Sequence, residues 1–182
     1  MMSAHYFIGI KAPAAIRPIA ESFQTQLHLS DTYKVLPHEE DLHMTLLFIG
    51  ALSDSHIAPL KEKLSSLSVH HKKFQLEINH LAYFGSPKGP RVVYLGTDDS
   101  ATLSSLQQAI YSQCQNITGR TDANRFTPHI TIAKKLKTAS GKPIVREAFT
   151  AVPFQVDGFS LFTIHPDQSP KYEEIKYFEL TT

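Results

Sequence analysis

Cysteine is nearly absent from this chain of 182 residues: the single Cys114 rules out a disulfide within it, as suits a reducing compartment. A dominant charge of one sign is missing too. Eighteen Lys and Arg stand against 17 Asp and Glu, a net charge of +1. No global field therefore draws the chain toward nucleic acid, and any such attraction must come from a local patch. No apolar run approaches the roughly 20 residues that span a bilayer. After Met1-Met2-Ser3-Ala4-His5 the apolar stretch Tyr6 to Ile10 is too short for a signal peptide before Lys11 intervenes. The expectation is a cytoplasmic protein with no membrane segment. Gly-x-Ser-x-Gly, Walker and Gly-x-Gly-x-x-Gly patterns are also missing, which removes the usual serine hydrolase, NTPase and dinucleotide readings. No His-x-x-x-His pair or Cys/Asp cluster has metal-ligand spacing, so neither a metal nor a cofactor is expected.

What is present is an ordinary globular composition, 42% apolar and 19% charged. Over residues 1–182 that suits one compact domain, or two small lobes sharing a core. Tyr6 to Ile10 reads as a buried strand. Ile16, Ile19, Phe23 and Leu27 follow at helical spacing, with Pro13 at the first turn. A short strand at Tyr33 to Leu36 precedes a polar turn, Pro37 to Asp41, and then a strand from Leu42 to Ile49. Ile57, Leu60, Leu64 and Leu67 mark a second helix, in which Pro59 is tolerable only near the first turn. Phe74, Leu76 and Ile78 alternate as a strand. Gly85 to Pro90 reads as a turn cluster and Val92 to Leu95 as another strand. Leu103, Leu106, Ile110, Cys114 and Ile117 form a third helical stripe, which makes Cys114 a core residue. A strand from His129 to Ala133 leads into a basic loop, Lys134 to Lys142. Phe154 to Ile164 and Tyr172 to Leu180 read as two closing strands. Strands outnumber helices and several connections are short, which favours an α+β fold with largely antiparallel sheet.

One pattern occurs twice: Leu42-His43-Met44-Thr45-Leu46 and Pro128-His129-Ile130-Thr131-Ile132. A strand has a side-chain period of two, so each His shares a face with its Thr while the residues between face the core. A single copy is what a solvent-facing edge strand can carry by chance. Only about 0.1–0.2 copies are expected for this composition, so two copies in one register argue for function. The helix and strands around each half's His-Thr motif look like two lobes facing each other. Two imidazoles across a small cleft are the equipment of a general acid–base pair.

On these residues the chain resembles the 2H phosphoesterases, and within them the RNA 2′,3′-cyclic phosphodiesterases formerly described as 2′-5′ RNA ligases. Glu40 to Gly50 looks like that branch's first block, and Arg125 to Lys134 is similar to its second. Pro90 to Gly96 and Tyr6 to Ile10 also fit. The resemblance implies two pseudo-twofold-related lobes with a central concave cleft, and metal-independent opening of 2′,3′-cyclic phosphates to 2′-phosphomonoesters. Its partner would be an RNA end or a cyclic nucleotide. By the same resemblance His43 is the proton donor, His129 the general base, and Thr45 and Thr131 the phosphate-binding hydroxyls.

Related enzymes often carry Arg five residues after the second His, where this chain has Lys134. Strict alternation places Lys134 opposite His129, so it serves the site only if the strand bends or ends there; Lys135 is the natural substitute. Phe48 and Phe7 are candidates for stacking a nucleobase. Alternation sets Phe48 with Met44 and Leu46, however, which predicts core packing. Lys134, Lys135, Lys137, Lys142, Arg120 and Arg125 form the one basic concentration, and Arg91 is a further candidate for phosphate. A monomer is assumed. The alternatives are a non-catalytic RNA-end binding module of the same fold, and RNA 2′-5′ ligation by the reverse reaction. Water at roughly 55 M makes hydrolysis the expected direction.

Overall fold

The computed structural model describes residues 3–119 and 125–182; Arg120 lies outside them. In chain order the elements are β1 (His5–Lys11), α1 (Arg17–Gln26), a one-turn α2 (Leu29–Thr32), β2 (Tyr33–Val35), β3 (His43–Ala51) and α3 (Asp54–Ser68). There follow β4 (Phe74–Ser86), β5 (Gly89–Thr97), α4 (Ala101–Thr118), β6 (His129–Leu136), β7 (Glu147–Val156), β8 (Gly158–Ile164) and β9 (Tyr172–Glu179). The strands form a single sheet in the order β7-β4-β5-β6-β3-β1-β8-β9, with β2 added to β6, and every pair among them is antiparallel. This is the expected α+β plan.

The sheet has a repeat built into it. β3 and β6, the two His-Thr strands, are neighbours at its centre, with one half of the sheet on either side. Each is fed through a helical connection by the strand beside it, β1 by way of α1 and β5 by way of α4. Two similar lobes thus meet at the His-Thr strands. The apolar stripes of the helices pack on the sheet: Ile16, Phe23, Leu60, Leu64, Leu103, Leu106, Ile110 and Cys114 are buried in one core with Met44, Leu46, Ile130 and Ile132. That burial raises the Cys114 thiol to about 12, so it acts as a small hydrophobe there.

Four boundaries differ from the sequence reading, each because strand pairing or packing overrides local punctuation. The turn between β4 and β5 is only Pro87-Lys88, since Ser86 and Gly89 still pair. Gly85 accommodates a register shift there at φ 99°. β6 runs on to Leu136 rather than ending at Ala133, because β2 pairs with it through Val35–Lys134 and Tyr33–Leu136. The stretch from Phe154 to Ile164 is two strands, not one. Phe154 to Val156 closes β7, which begins unannounced at Glu147, and the chain turns at Asp157. Finally, Pro59 lies in the second turn of α3 rather than the first. It removes the hydrogen bond to the Ser55 carbonyl, on an exposed face open to solvent.

Candidate active site

β3 and β6 touch at one residue pair, Met44 with Ile130. Each of these directly follows its histidine. Extended one step either way, that register faces His43 with Thr131 and Thr45 with His129. The two histidines then form a diagonal, for which the usual spacing is roughly 7–8 Å and somewhat less between Cβ atoms, a span that a phosphate ester can bridge. Both His-Thr pairs do line one pocket of about 250 Å³, and His43 responds to the charge of His129.

The two imidazoles are held alike. Each Nδ1 lies against the carbonyl oxygen two residues earlier, Asp41 at 2.6 Å for His43 and Thr127 at 2.8 Å for His129. A carbonyl can only accept, so Nδ1 carries the proton and Nε2 is the nitrogen left for substrate. The Thr45 hydroxyl sits 2.9 Å from His43 Nε2. With the ring neutral, that hydroxyl donates to it.

Aromatic rings wall both imidazoles. His43 packs against Phe7 at 4.7 Å and edge-on against Tyr172 at 4.9 Å. His129 meets Phe84 edge-on at 4.9 Å and Tyr94 at 5.4 Å. Removing water from a ring disfavours its charged form. His43 is therefore pushed down from 6.5 to about 4, mainly by burial, with the Asp41 carbonyl opposing and the cations Lys134 and His129 adding to the fall. His129 is lowered as well, by burial, against the pull of the Thr127 carbonyl.

Two β-bulges decide which other residues face this pocket. Against β1, Ile8 pairs with Leu47 and Gly9 with Thr45, so Leu46 is an extra residue. Against β5, Val93 pairs with Ala133 and Tyr94 with Thr131, so Ile132 is extra. Each bulge follows its motif threonine and shifts the alternation by one. Leu46 and Leu47, like Ile132 and Ala133, are consecutively buried, and the fifth residue after each histidine turns onto the histidine's face.

Those residues are Phe48 and Lys134. Phe48 does not pack in the core as alternation predicts: it is 43% exposed and lines the pocket. Lys134 also lines it, through the bend that the sequence reading required. Burial and the neighbouring Lys135 and Lys171 lower its pKa.

Lys135, the suggested substitute, is exposed with its backbone at φ 62° and does not line the pocket. Phe7, the other stacking candidate, also lines the pocket but presents little surface to it. Only 2% exposed, it stacks on Phe162 at 4.9 Å and supports His43. Arg91 and Arg125 line an adjoining pocket of about 570 Å³ that shares Thr45, Phe48, His129 and Thr131 with the centre. Lys137 is engaged elsewhere, donating to the Ser30 carbonyl at 2.6 Å.

Besides Phe84 and Tyr94 against His129, two residues beside His43 escaped the sequence reading. Tyr172 arrives from the start of β9. Asp41, buried, fixes it there: its carboxylate accepts the backbone N–H of Lys171 at 2.8 Å and of Tyr172 at 3.1 Å. An acidic residue two positions before the histidine was visible, but nothing local names its partners so far along the chain. Among the described residues, no three His, Cys, Asp or Glu side chains converge as a metal site would require, and no helix is long and apolar enough to cross a membrane.

Comparison with known proteins agrees with this fold. The sequence model of the 2′-5′ RNA ligase superfamily matches residues 12–168. An RNA 2′,3′-cyclic phosphodiesterase of Bacillus subtilis is 32% identical over 179 residues, covering 97% of each chain. A protein of the same name from Geobacillus stearothermophilus is 30% identical over 185 residues, 99% of this chain but 58% of the relative's own length. Among solved structures, TT0787 of Thermus thermophilus superposes with a TM-score of 0.82 at 22% identity over 97% of both chains. E. coli LigT complexed with 3′-AMP superposes at 0.81 with 23% identity over the whole of both. These two likenesses bear on the fold.

Proposed function

Because this chain belongs to the 2′-5′ RNA ligase superfamily, we propose that it opens 2′,3′-cyclic phosphates on RNA ends or nucleotides, leaving a 2′-phosphomonoester, with its two histidines as acid and base and without a metal. The observation that carries this reading is the common pocket of His43, Thr45, His129 and Thr131, in which both imidazoles are anchored through Nδ1. The names of the relatives support the substrate class.

In the proposed reaction His129 Nε2 takes a proton from water as the water oxygen attacks phosphorus. The bond from phosphorus to O3′ breaks, and His43 Nε2–H protonates the departing oxygen. The division of roles follows the family resemblance. Thr45 and Thr131 donate to the non-bridging oxygens, where charge grows in the transition state. Thr45 has to turn from His43 to do so, which frees the Nε2 that delivers the proton.

Lys134 supplies a point charge where related enzymes carry the fork of an Arg. Before substrate binds, burial and the neighbouring cations keep His43 deprotonated near neutral pH. A cyclic phosphate monoanion set between His43 and Lys134 reverses the local charge, so His43 takes up from solvent, as the substrate binds, the proton needed for the leaving oxygen.

The test is incubation with adenosine 2′,3′-cyclic phosphate in EDTA and identification of the product. The expected product is the 2′-phosphate, with turnover falling by at least about 10²-fold in both His43→Ala and His129→Ala while folding persists. Failure of folded wild-type protein to turn over, or its loss of activity to the chelator, overturns the reading. A 3′-phosphate product reverses which oxygen leaves.

A further inference from the structure

Beside the central pocket lies a second one of about 220 Å³, bounded by β2, the turn after it, the end of β6 and the segment leading into β9. Lys34, His38, Lys134 and Lys171 line it, with Asp41 as its one acid. Both oxygens of Asp41 already accept backbone N–H groups, from Lys171 and Tyr172. Three lysines therefore line a cavity whose one acid is already engaged by backbone N–H groups. The two pockets are continuous: Pro37, Asp41, Lys134 and Tyr172 line both.

The opposite flank differs in chemistry. There Phe48, Phe84 and Phe126 lie with Arg91 and Arg125 around the larger pocket, and the Arg91 guanidinium sits 5.8 Å from the Phe84 ring centre. The cleft thus has an aromatic end, a two-histidine centre and a lysine end.

A terminal nucleotide has the same three-part order. Its base leaves the ribose at C1′ and its 5′ oxygen leaves by way of C4′, at opposite ends of the ring, with the cyclic phosphate on O2′ and O3′ between them. A flat aromatic surface takes a base, and clustered lysines take a phosphate.

We infer that the lysine-lined pocket is a second phosphate subsite, for the phosphate carried on the 5′ oxygen of the terminal nucleotide. The preferred substrate is then a nucleotide or strand bearing that phosphate, rather than a lone nucleoside cyclic phosphate. The inference rests on the cyclic-phosphate reading of the central pocket. Lys134, at the junction, serves both phosphates, while Lys34 and Lys171 serve the second alone. The like charges around Lys134 that lower its pKa are relieved when a phosphate enters.

The experiment compares kcat/KM for three substrates: adenosine 2′,3′-cyclic phosphate, its 5′-phosphorylated form, and the dinucleotide ending in the same cyclic phosphate. Wild type is set against Lys34→Ala, Lys171→Ala and the double variant. Wild type is expected to prefer the 5′-phosphorylated substrate by about tenfold or more, mainly through KM. Each variant should lower that preference and the double variant abolish it, the readout being the ratio of kcat/KM between substrates within each variant. An equal preference for the dinucleotide extends the subsite to an RNA phosphodiester; a preference for the 5′-monophosphate alone restricts it to nucleotides.

The absence of any preference in wild type, or a preference that survives in the double variant, overturns the inference. If none of the three substrates is hydrolysed, the catalytic reading fails separately. The subsite is then judged by calorimetry with adenosine 3′,5′-bisphosphate and adenosine 3′-monophosphate. Tighter binding of the bisphosphate that the double variant removes sustains it; equal binding overturns it.

Discussion

Gln107 donates a side-chain N–H to the carbonyl oxygen of Leu46 at 3.0 Å, and Leu46 is the extra residue of the bulge that turns Phe48 into the cleft. Across the pseudo-twofold axis, Gln24 does the same for Ile132, also at 3.0 Å. A bulge leaves the extra residue out of the ladder, and a buried carbonyl without a partner is destabilising. Each lobe's helix therefore braces the bulge of the other lobe's His-Thr strand. α4 crosses to β3, and α1 crosses to β6.

This bracing predicts that Gln107→Leu destabilises the fold by about 1–3 kcal/mol, the penalty for stranding a buried acceptor. Urea unfolding measures that loss. Activity should fall by more than the unfolded fraction accounts for, since Phe48 and Thr45 flank the disturbed carbonyl. A variant as stable and active as wild type would remove the bulge from the mechanism.

The two phenylalanines put forward as base-stacking candidates should separate cleanly. Phe48→Ala, at an exposed position, is expected to leave stability within about 0.5 kcal/mol. It should weaken nucleotide substrates by about 1–3 kcal/mol through the lost stack. Phe7→Ala opens a cavity under His43 and should destabilise by about 3–5 kcal/mol, the usual range for a buried phenylalanine. Thermal unfolding paired with KM measurements tests both; similar effects from the two would contradict the assignment of one to the support of His43 and the other to the substrate.

His43 and His129 both titrate below the ordinary imidazole value of 6.5, which fixes two pH dependences. The acid–base reaction needs one ring charged and the other neutral, and kcat/KM reports the free enzyme. Its alkaline limb is thus expected below pH 6.5. Lys134→Met removes one of the cations that lower His43 and should move that limb upward, as the ring proton signals of an NMR titration would show directly. A limb near neutrality in wild type, unmoved by the substitution, would contradict the charge coupling.

Stability follows the same shift. Between about pH 4 and 6.5 the unfolded chain binds a proton at His43 that the folded chain does not, so stability rises with pH through this window and is lost on acidification. The loss is on the order of 3 kcal/mol between the two ends. His43→Gln should flatten the dependence, measured by urea unfolding at about pH 7 and about pH 5, on either side of the unfolded imidazole value.

Much of the site was readable before folding. Alternation in the two motifs put His43 with Thr45 and His129 with Thr131, and pocket and register agree. The same rule failed three residues after each threonine. It assigned Phe48 to the core and Lys134 to the far side, because counting by twos assumes an unbroken ladder. Whether a ladder is broken depends on the strand beside it, here β1 for β3 and β5 for β6.

The sequence by itself determined the chemistry available: two imidazole–hydroxyl pairs, each on a strand with an apolar underside. Tertiary structure alone decided what surrounds them. The bulges, the glutamines that cross between lobes, and Asp41 holding the start of β9 against His43 all join segments distant in the chain. A local pattern encodes which way a side chain leaves its own backbone; it does not encode which backbone lies alongside, and in a sheet that neighbour sets the phase.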